Sequence, residues 1–180
     1  MEEVASRYAA ALVSLAKEEQ KLEQYKVAVL SMKEVFDSNP EVLKYLKSYF
    51  VKAEEKYNLV EDLTKEFGLK NFTNFMKLLV EKHKIYLFKD IVSEITKGIN
   101  FELDIYEGFV YSTEPLENSK IIEISQVISQ KIGKKVELKN RLDSRLIGGV
   151  KVVVHDHVFD GSIKYKLETM KEQLKERRNG

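Results

Sequence analysis

Between Leu146 and Glu168 the chain reads LIGGVKVVVHDHVFDGSIKYKLE, an order of residues that few folds accommodate. Val150, Val152 and Val154 alternate with Lys151 and Val153, the period of a sheet strand buried mainly on one face. His155-Asp156-His157 supplies a turn, and Val158 and Phe159 return as a second short strand. Asp160-Gly161-Ser162 breaks that strand and starts an amphipathic helix, with Ser162 or Asp160 offering the N-cap oxygen. Gly148 and Gly149 stand where the backbone bends or another segment comes too close for a side chain.

The first 105 residues have a different grammar. Helical periods run from about Glu2 to Glu19 and from about Leu22 to Phe36. Asp37-Ser38-Asn39-Pro40 breaks them, with Asn39 able to cap and Pro40 suited to a first helical position. A third helix carries Val42, Leu43, Leu46, Tyr49 and Phe50, and a fourth carries Tyr57, Val60, Leu63 and Phe67 before Gly68 stops it. Asn71 or Thr73 starts a fifth, with Phe75, Leu78 and Leu79 on one side, and Ile91, Ile95 and Ile99 mark a sixth from about Leu87 to Asp104. Six short helices with short connections predict a compact bundle over residues 1–105.

The character changes at Glu107-Gly108. Phe109 to Thr113 reads as a strand ended by Glu114-Pro115, and Asn118 or Ser119 starts a helix with Ile121, Ile122, Ser125 and Ile128 inward, stopped by Gly133. A second strand follows over Lys135 to Leu142, through Val136, Leu138 and Asn140. Residues 106–180 thus form a small α/β domain with a short sheet and two helices. The expected fold class is α+β, a six-helix bundle followed by that domain.

Composition excludes several function classes. Without cysteine the chain has no disulfides or thiolate chemistry. No apolar run approaches the ~20 residues that span a bilayer, and Met1-Glu2-Glu3 does not open a signal peptide. Residues 1–105 carry a net charge of −2 and residues 106–180 a net +3, too little for a protein that lives on phosphate backbones. No P-loop, dinucleotide loop or Gly-x-Ser-x-Gly elbow occurs, so neither nucleotide binding nor an enzyme is expected. His155 and His157 lack the further ligands of a metal centre and read as turn residues, and His83 as a helix-end residue. No metal or cofactor is expected.

Two surfaces stand out. On the first helix Val4, Ala5, Tyr8, Ala9, Ala11, Leu12, Val13, Leu15 and Ala16 cover roughly 200° of arc at 100° per residue. A helix packed on one side needs a stripe of about 100° or somewhat more. Either this helix is central and nearly surrounded, or part of the face receives another protein. In the last helix Ile163, Leu167, Met170 and Leu174 form an apolar stripe flanked by Lys164, Lys166, Lys171, Lys175, Arg177 and Arg178. It either packs on the sheet or meets a partner.

Three segments together resemble one family. Ser6-Arg7-Tyr8-Ala9-Ala10-Ala11-Leu12 is similar to an N-terminal Arg-Tyr-Ala-x-Ala-Leu motif. Asn74-Phe75-Met76-Lys77-Leu78-Leu79-Val80-Glu81-Lys82-His83-Lys84-Ile85 resembles an Asn-Phe-Leu-x-Leu-Leu-x-Glu-x-x-Arg-Leu segment, with His83 where Gly is common. The Gly-Gly strand and Asp-Gly-Ser helix start are the third. All three belong to the delta subunit of F-type ATP synthases, whose mitochondrial counterpart is the oligomycin-sensitivity-conferring protein.

The resemblance implies a non-catalytic stator subunit, present once per complex, monomeric alone, and peripheral on the cytoplasmic face of a bacterial inner membrane without entering it. It implies that the helical domain caps the catalytic head, with the alpha subunits as main partners and beta as a second candidate. The N-terminal helix of alpha would lie on Tyr8, Ala11 and Leu15 of the first helix and Asn74 and Leu78 of the fifth. It implies that the C-terminal domain engages the b subunits of the peripheral stalk, for which Ile163, Leu167, Met170 and Leu174 are the candidates. Gly148, Gly149, Asp160, Gly161 and Ser162 would be folding residues. The alternative from another class is a nucleic-acid-binding adaptor with a helical N-terminal domain.

Overall fold

In the computed structural model, which describes residues 2–163 and 165–167, apolar side chains at helical spacing assemble one unit through Leu103 and sheet-forming segments a second from Asp104 onward. The class is α+β.

The first unit holds α1 (Glu2–Glu18), α2 (Leu22–Ser38), α3 (Pro40–Lys47), α4 (Ala53–Thr64), α5 (Lys70–Glu81) and α6 (Phe88–Glu102). Short 3-10 turns lead from α4 and into α6. Ile91, Ile95 and Ile99 are fully buried along α6, each adding about 1.5–3 kcal/mol of apolar burial. Against them packs α1, through Ala5, Ala9, Leu12, Val13 and Ala16. A buried polar pair links α2 to α6: Lys26 Nζ donates to Asn100 Oδ1 at 2.6 Å.

Several expected boundaries move. The third helix stops at Lys47, and Tyr49 and Phe50 lie beyond it, exposed, because they follow a bend and not the helical stripe. Asn39 stands at the N-cap position of α3, but its side chain makes no cap bond; its amide turns back and donates to the Val35 carbonyl at 3.2 Å. Neither Asn71 nor Thr73 starts α5, which begins at Lys70. The last helix ends at Glu102, and Asp104 takes a positive φ of 55° before the sheet begins.

The second unit is built on β1 (Ile105–Ser112), α7 (Asn118–Ile132), β2 (Lys135–Leu142), β3 (Val150–Val154) and β4 (His157–Asp160). Sheet order is β2-β1-β3-β4, with β1 parallel to β2 and antiparallel to β3. The helix α7 makes the parallel crossover, as such a connection requires. Val110, Val136, Leu138, Val152 and Val154 meet Ile128 of α7 in a separate core.

Here β1 starts four residues earlier than its apolar run suggests. Glu107-Gly108 is not a break: a Cβ on Gly108 would sit 2.5 Å from Val154 Cγ2 and 2.6 Å from the Val153 carbonyl oxygen, so the strand needs glycine. Ile122 points outward at 57 % exposure, since α7 lies on Ile121, Ile124 and Ile128 instead. The hairpin turn is His155-Asp156 alone, because His157 already pairs with Val154.

Candidate functional site

On α1, Tyr8, Ala11 and Leu15 sit at i, i+3 and i+7, one stripe of the helix. Ala11 is exposed, and Tyr8 and Leu15 are half-buried against the core. The helix is therefore not surrounded: its buried side is Ala5, Ala9, Leu12, Val13 and Ala16, and the arc through Ala10 and Ala11 is open. On α5, Asn74 is exposed and Leu78 is 38 % exposed, while Phe75 and Leu79 turn inward. Leu78 thus leaves the side on which the sequence pattern grouped it with Phe75 and Leu79.

The two helices meet where the Tyr8 ring stands edge-on to Phe75, with centroids 6.5 Å apart. At their other ends they share a carboxylate. Glu19, just past α1, accepts from Asn71 Nδ2 on α5 at 2.5 Å and from the Tyr25 hydroxyl on α2 at 3.1 Å. Asn71 first, then Tyr25 and Lys21, hold the Glu19 carboxyl below its ordinary value. Burial, and then the Glu19 carboxylate, push the Tyr25 hydroxyl up. Asn74 makes no cap; it lies in the second turn of the helix.

Between α1 and α6 lies an open groove of about 640 Å³ lined by Ala10, Val13, Ser14, Gly98 and the 85 % exposed Phe101, among others. The sequence reading missed it. Phe101 falls off the Ile91-Ile95-Ile99 stripe, and that was the available signal. The Glu19–Asn71 contact left no local trace, since its partners are 52 residues apart.

In the second unit the glycine motif forms a crossing of two chain segments. Gly149 has φ +77°, and a Cβ there would lie 2.6 Å from the Gly161 carbonyl oxygen and 3.1 Å from Ser162 Cα. The Gly161 amide donates to the Val150 carbonyl at 2.9 Å and that of Ile163 to the Gly148 carbonyl at 3.0 Å. Asp160 Oδ1 accepts from the Ser162 amide, and Ser162 Oγ accepts from the Tyr165 amide at 3.2 Å, so Ser162 is the N-cap. Hydrogen bonds from Ser162, and more weakly the Lys151 charge, keep the Asp160 carboxyl below its ordinary range.

Past that cap, Ile163 is 46 % exposed, with its side chain over Gly148, and Leu167 is 56 % exposed, so both keep apolar surface open. Met170 and Leu174 lie outside the described residues, as do Lys164, Lys171, Lys175, Arg177 and Arg178. His155 stacks on Tyr106, with centroids 4.5 Å apart, and His157 on Phe159. Among the described residues no group of three or more His, Asp or Glu side chains is placed to hold a metal ion.

Against this geometry, the family model for the ATP synthase delta (OSCP) subunit matches residues 4–174. A subunit delta of ATP synthase from Mycoplasma mycoides is 37% identical over 172 residues, covering 94% of each chain. That of Alkaliphilus oremlandii is 30% identical over 171 residues, covering 95% of each. A chain in the cryo-EM structure of the Toxoplasma gondii mitochondrial ATP synthase hexamer shares the fold, with a TM-score of 0.61 at 19% identity. It covers 94% of this chain and 96% of its own.

Proposed function

The chain belongs to the ATP synthase delta (OSCP) family, a non-catalytic subunit of that complex, and from this premise we propose that it joins the catalytic head to the peripheral stalk. Rotation of a central shaft pulls the head round with it unless something holds the head still. Ion flow, of protons or sodium, then makes ATP only while that torque is resisted. In this reading the helical unit binds the N-termini of alpha subunits, with beta a further contact, and the C-terminal unit binds the b subunits. Holding two partners at once makes separately modest contacts collectively firm. The subunit works as one copy at the cytoplasmic face of the membrane; among its described residues no helix is long and apolar enough to cross one.

The observation that carries the reading is the pair of stripes Tyr8-Ala11-Leu15 and Asn74-Leu78 beside the Tyr8–Phe75 contact, in which Ala11, Asn74 and Leu78 are exposed and Tyr8 and Leu15 half-buried. Small Ala11 allows close approach, Leu15 and Leu78 offer apolar walls, and Asn74 offers a polar edge. Such a surface suits an amphipathic helix laid along it. For the stalk, the exposed Ile163 and Leu167, continuing toward Met170 and Leu174 in sequence, support the C-terminal unit as the second contact.

The test is calorimetric titration of the full chain with a peptide from the N-terminus of the cognate alpha subunit. Saturable binding is expected, weakened about tenfold or more by Tyr8→Ala and by Leu78→Asp, with helicity retained in both. A folded wild-type protein that does not bind the peptide would overturn the groove.

A further inference from the structure

The two stripes do not end with the residues that line them. Counting at 100° per residue, Glu19 continues the line of Tyr8, Ala11 and Leu15 as i+11, all within about 80° of arc. Asn71 precedes Asn74 and Leu78 by three and seven residues, so it continues theirs. These two continuations are joined by the 2.5 Å hydrogen bond from Asn71 Nδ2 to Glu19 Oε1. The surfaces that would receive a helix are thus closed at one end by a polar clip.

The clip is a second attachment between the helices, apart from the aromatic one. From Glu19, just past α1, to the Tyr8 contact is eleven residues, about 16 Å at helical rise, whereas from Asn71 to Phe75 is four residues of α5, about 6 Å. The two attachments therefore hold the end of α1 and the first turn of α5 at separate points along each helix. The Tyr8–Phe75 contact is an edge-on aromatic pair that tolerates rotation, while the carboxylate is held by Asn71 and Tyr25 together. Tyr25 is itself anchored, fully buried, with its ring edge-on to Phe72 of α5 at 6.4 Å.

We propose that Glu19 is a positioning residue: through Asn71 it sets the width of the α1–α5 groove, and so the affinity for the helix that enters it, without touching that helix. This rests on the groove reading above. Loss of the clip frees the first turn of α5 to swing from the end of α1, which leaves both stripes intact but misaligned.

The experiment uses the full chain and the same alpha-subunit peptide. Glu19→Ala and Asn71→Ala are each expected to weaken binding about fivefold, the low end of coupling between a site and a remote residue. The double variant should be no weaker than either single one, because both remove one interaction. Glu19→Gln keeps an acceptor oxygen for Asn71 and should bind within about twofold of wild type. Asn71→Asp sets a second carboxylate against Glu19 and should open the groove without truncating either residue. Tyr25→Phe removes the second bond to Glu19 but spares the α1–α5 link, and should weaken binding less than either Ala variant. In the peptide-free protein, the ring-proton shifts of Tyr8 should move in both Ala variants. Unaltered affinity in Glu19→Ala, Asn71→Ala and Asn71→Asp, with wild type binding, would overturn the clip. A wild type that fails to bind would instead overturn the groove itself, a result distinguishable at once.

Discussion

The guanidinium carbon of Arg141 lies 3.6 Å from the centre of the Phe109 ring, across the parallel pair of β2 and β1. Both side chains project from the sheet face opposite α7, since the alternate residues Val110 and Asn140 turn toward it. A planar cation at that distance stacks on the ring, and an ammonium does not reproduce the overlap. Arg141→Ala should cost about 0.5–1 kcal/mol, and Arg141→Lys should recover only part of it. Urea denaturation followed by tyrosine fluorescence measures both.

His83 occupies a position that favours glycine. Its φ is +51°, its amide reaches the Val80 carbonyl at 3.1 Å, and the Lys84 amide reaches the Leu79 carbonyl at 2.7 Å. That pair of bonds is the Schellman ending of α5. His83→Gly should raise stability by up to about 1 kcal/mol, reduced by whatever the tilted contact of His83 with the Tyr49 ring contributes. A thermal melt showing a lower midpoint would contradict this.

Gly149→Ala should be among the most damaging single-methyl changes in the second unit. It combines a positive φ with a backbone oxygen 2.6 Å from the new carbon, so the cost is about 2 kcal/mol or more. If the two units fold separately, far-ultraviolet helicity and binding of the alpha peptide should persist while β3 amides lose protection from hydrogen exchange.

Asp143 carries a pH signature. Its carboxylate takes the Arg145 side chain at 2.9 Å and the Arg145 amide at 3.0 Å, which together lower its pKa from 3.8 to about 2. The folded value lies below the unfolded one. Its contribution is therefore complete above the ordinary carboxylate range and is lost as pH falls through about 2. Carbon-detected titration should find Asp143 still ionised at pH 3, and Arg145→Ala should return it toward 3.8.

The buried Lys26–Asn100 bond invites a double-mutant cycle. Asn100→Leu removes an acceptor from a buried ammonium and should cost about 1–3 kcal/mol. Lys26→Met with Asn100→Leu should cost less than Asn100→Leu alone, because neither polar group is then left short. A double-variant cost equal to the sum of the Lys26→Met and Asn100→Leu costs would show that the two residues act independently.

What the sequence disclosed was what is local. The isoleucine period of α6, Pro40 opening α3, Gly68 and Gly133 ending helices, and Ser162 as a cap all depend on neighbours within one or two turns. What it withheld depends on distant partners. Gly108 reads as a breaker until Val153 and Val154 are packed over it. Asn71 and Asn39 read as caps, yet the first bonds a carboxylate 52 residues away and the second the preceding helix. Of the candidate groove, Tyr8, Ala11, Leu15, Asn74 and Leu78 came from motif likeness, which carries no geometry; their exposure, and the Glu19 contact beside them, required the fold.

The place of β1 in the middle of its sheet has a consequence for birth of the protein on the ribosome. Its neighbours on both sides, β2 and β3, are translated after it, and Val154, the end of the second, follows Ser112 by 42 residues. At roughly 5–20 residues per second, Val110 waits several seconds for the strands that cover it. During that interval the nascent chain exposes an apolar strand with two unpaired edges, the form in which a growing polypeptide attracts chaperones.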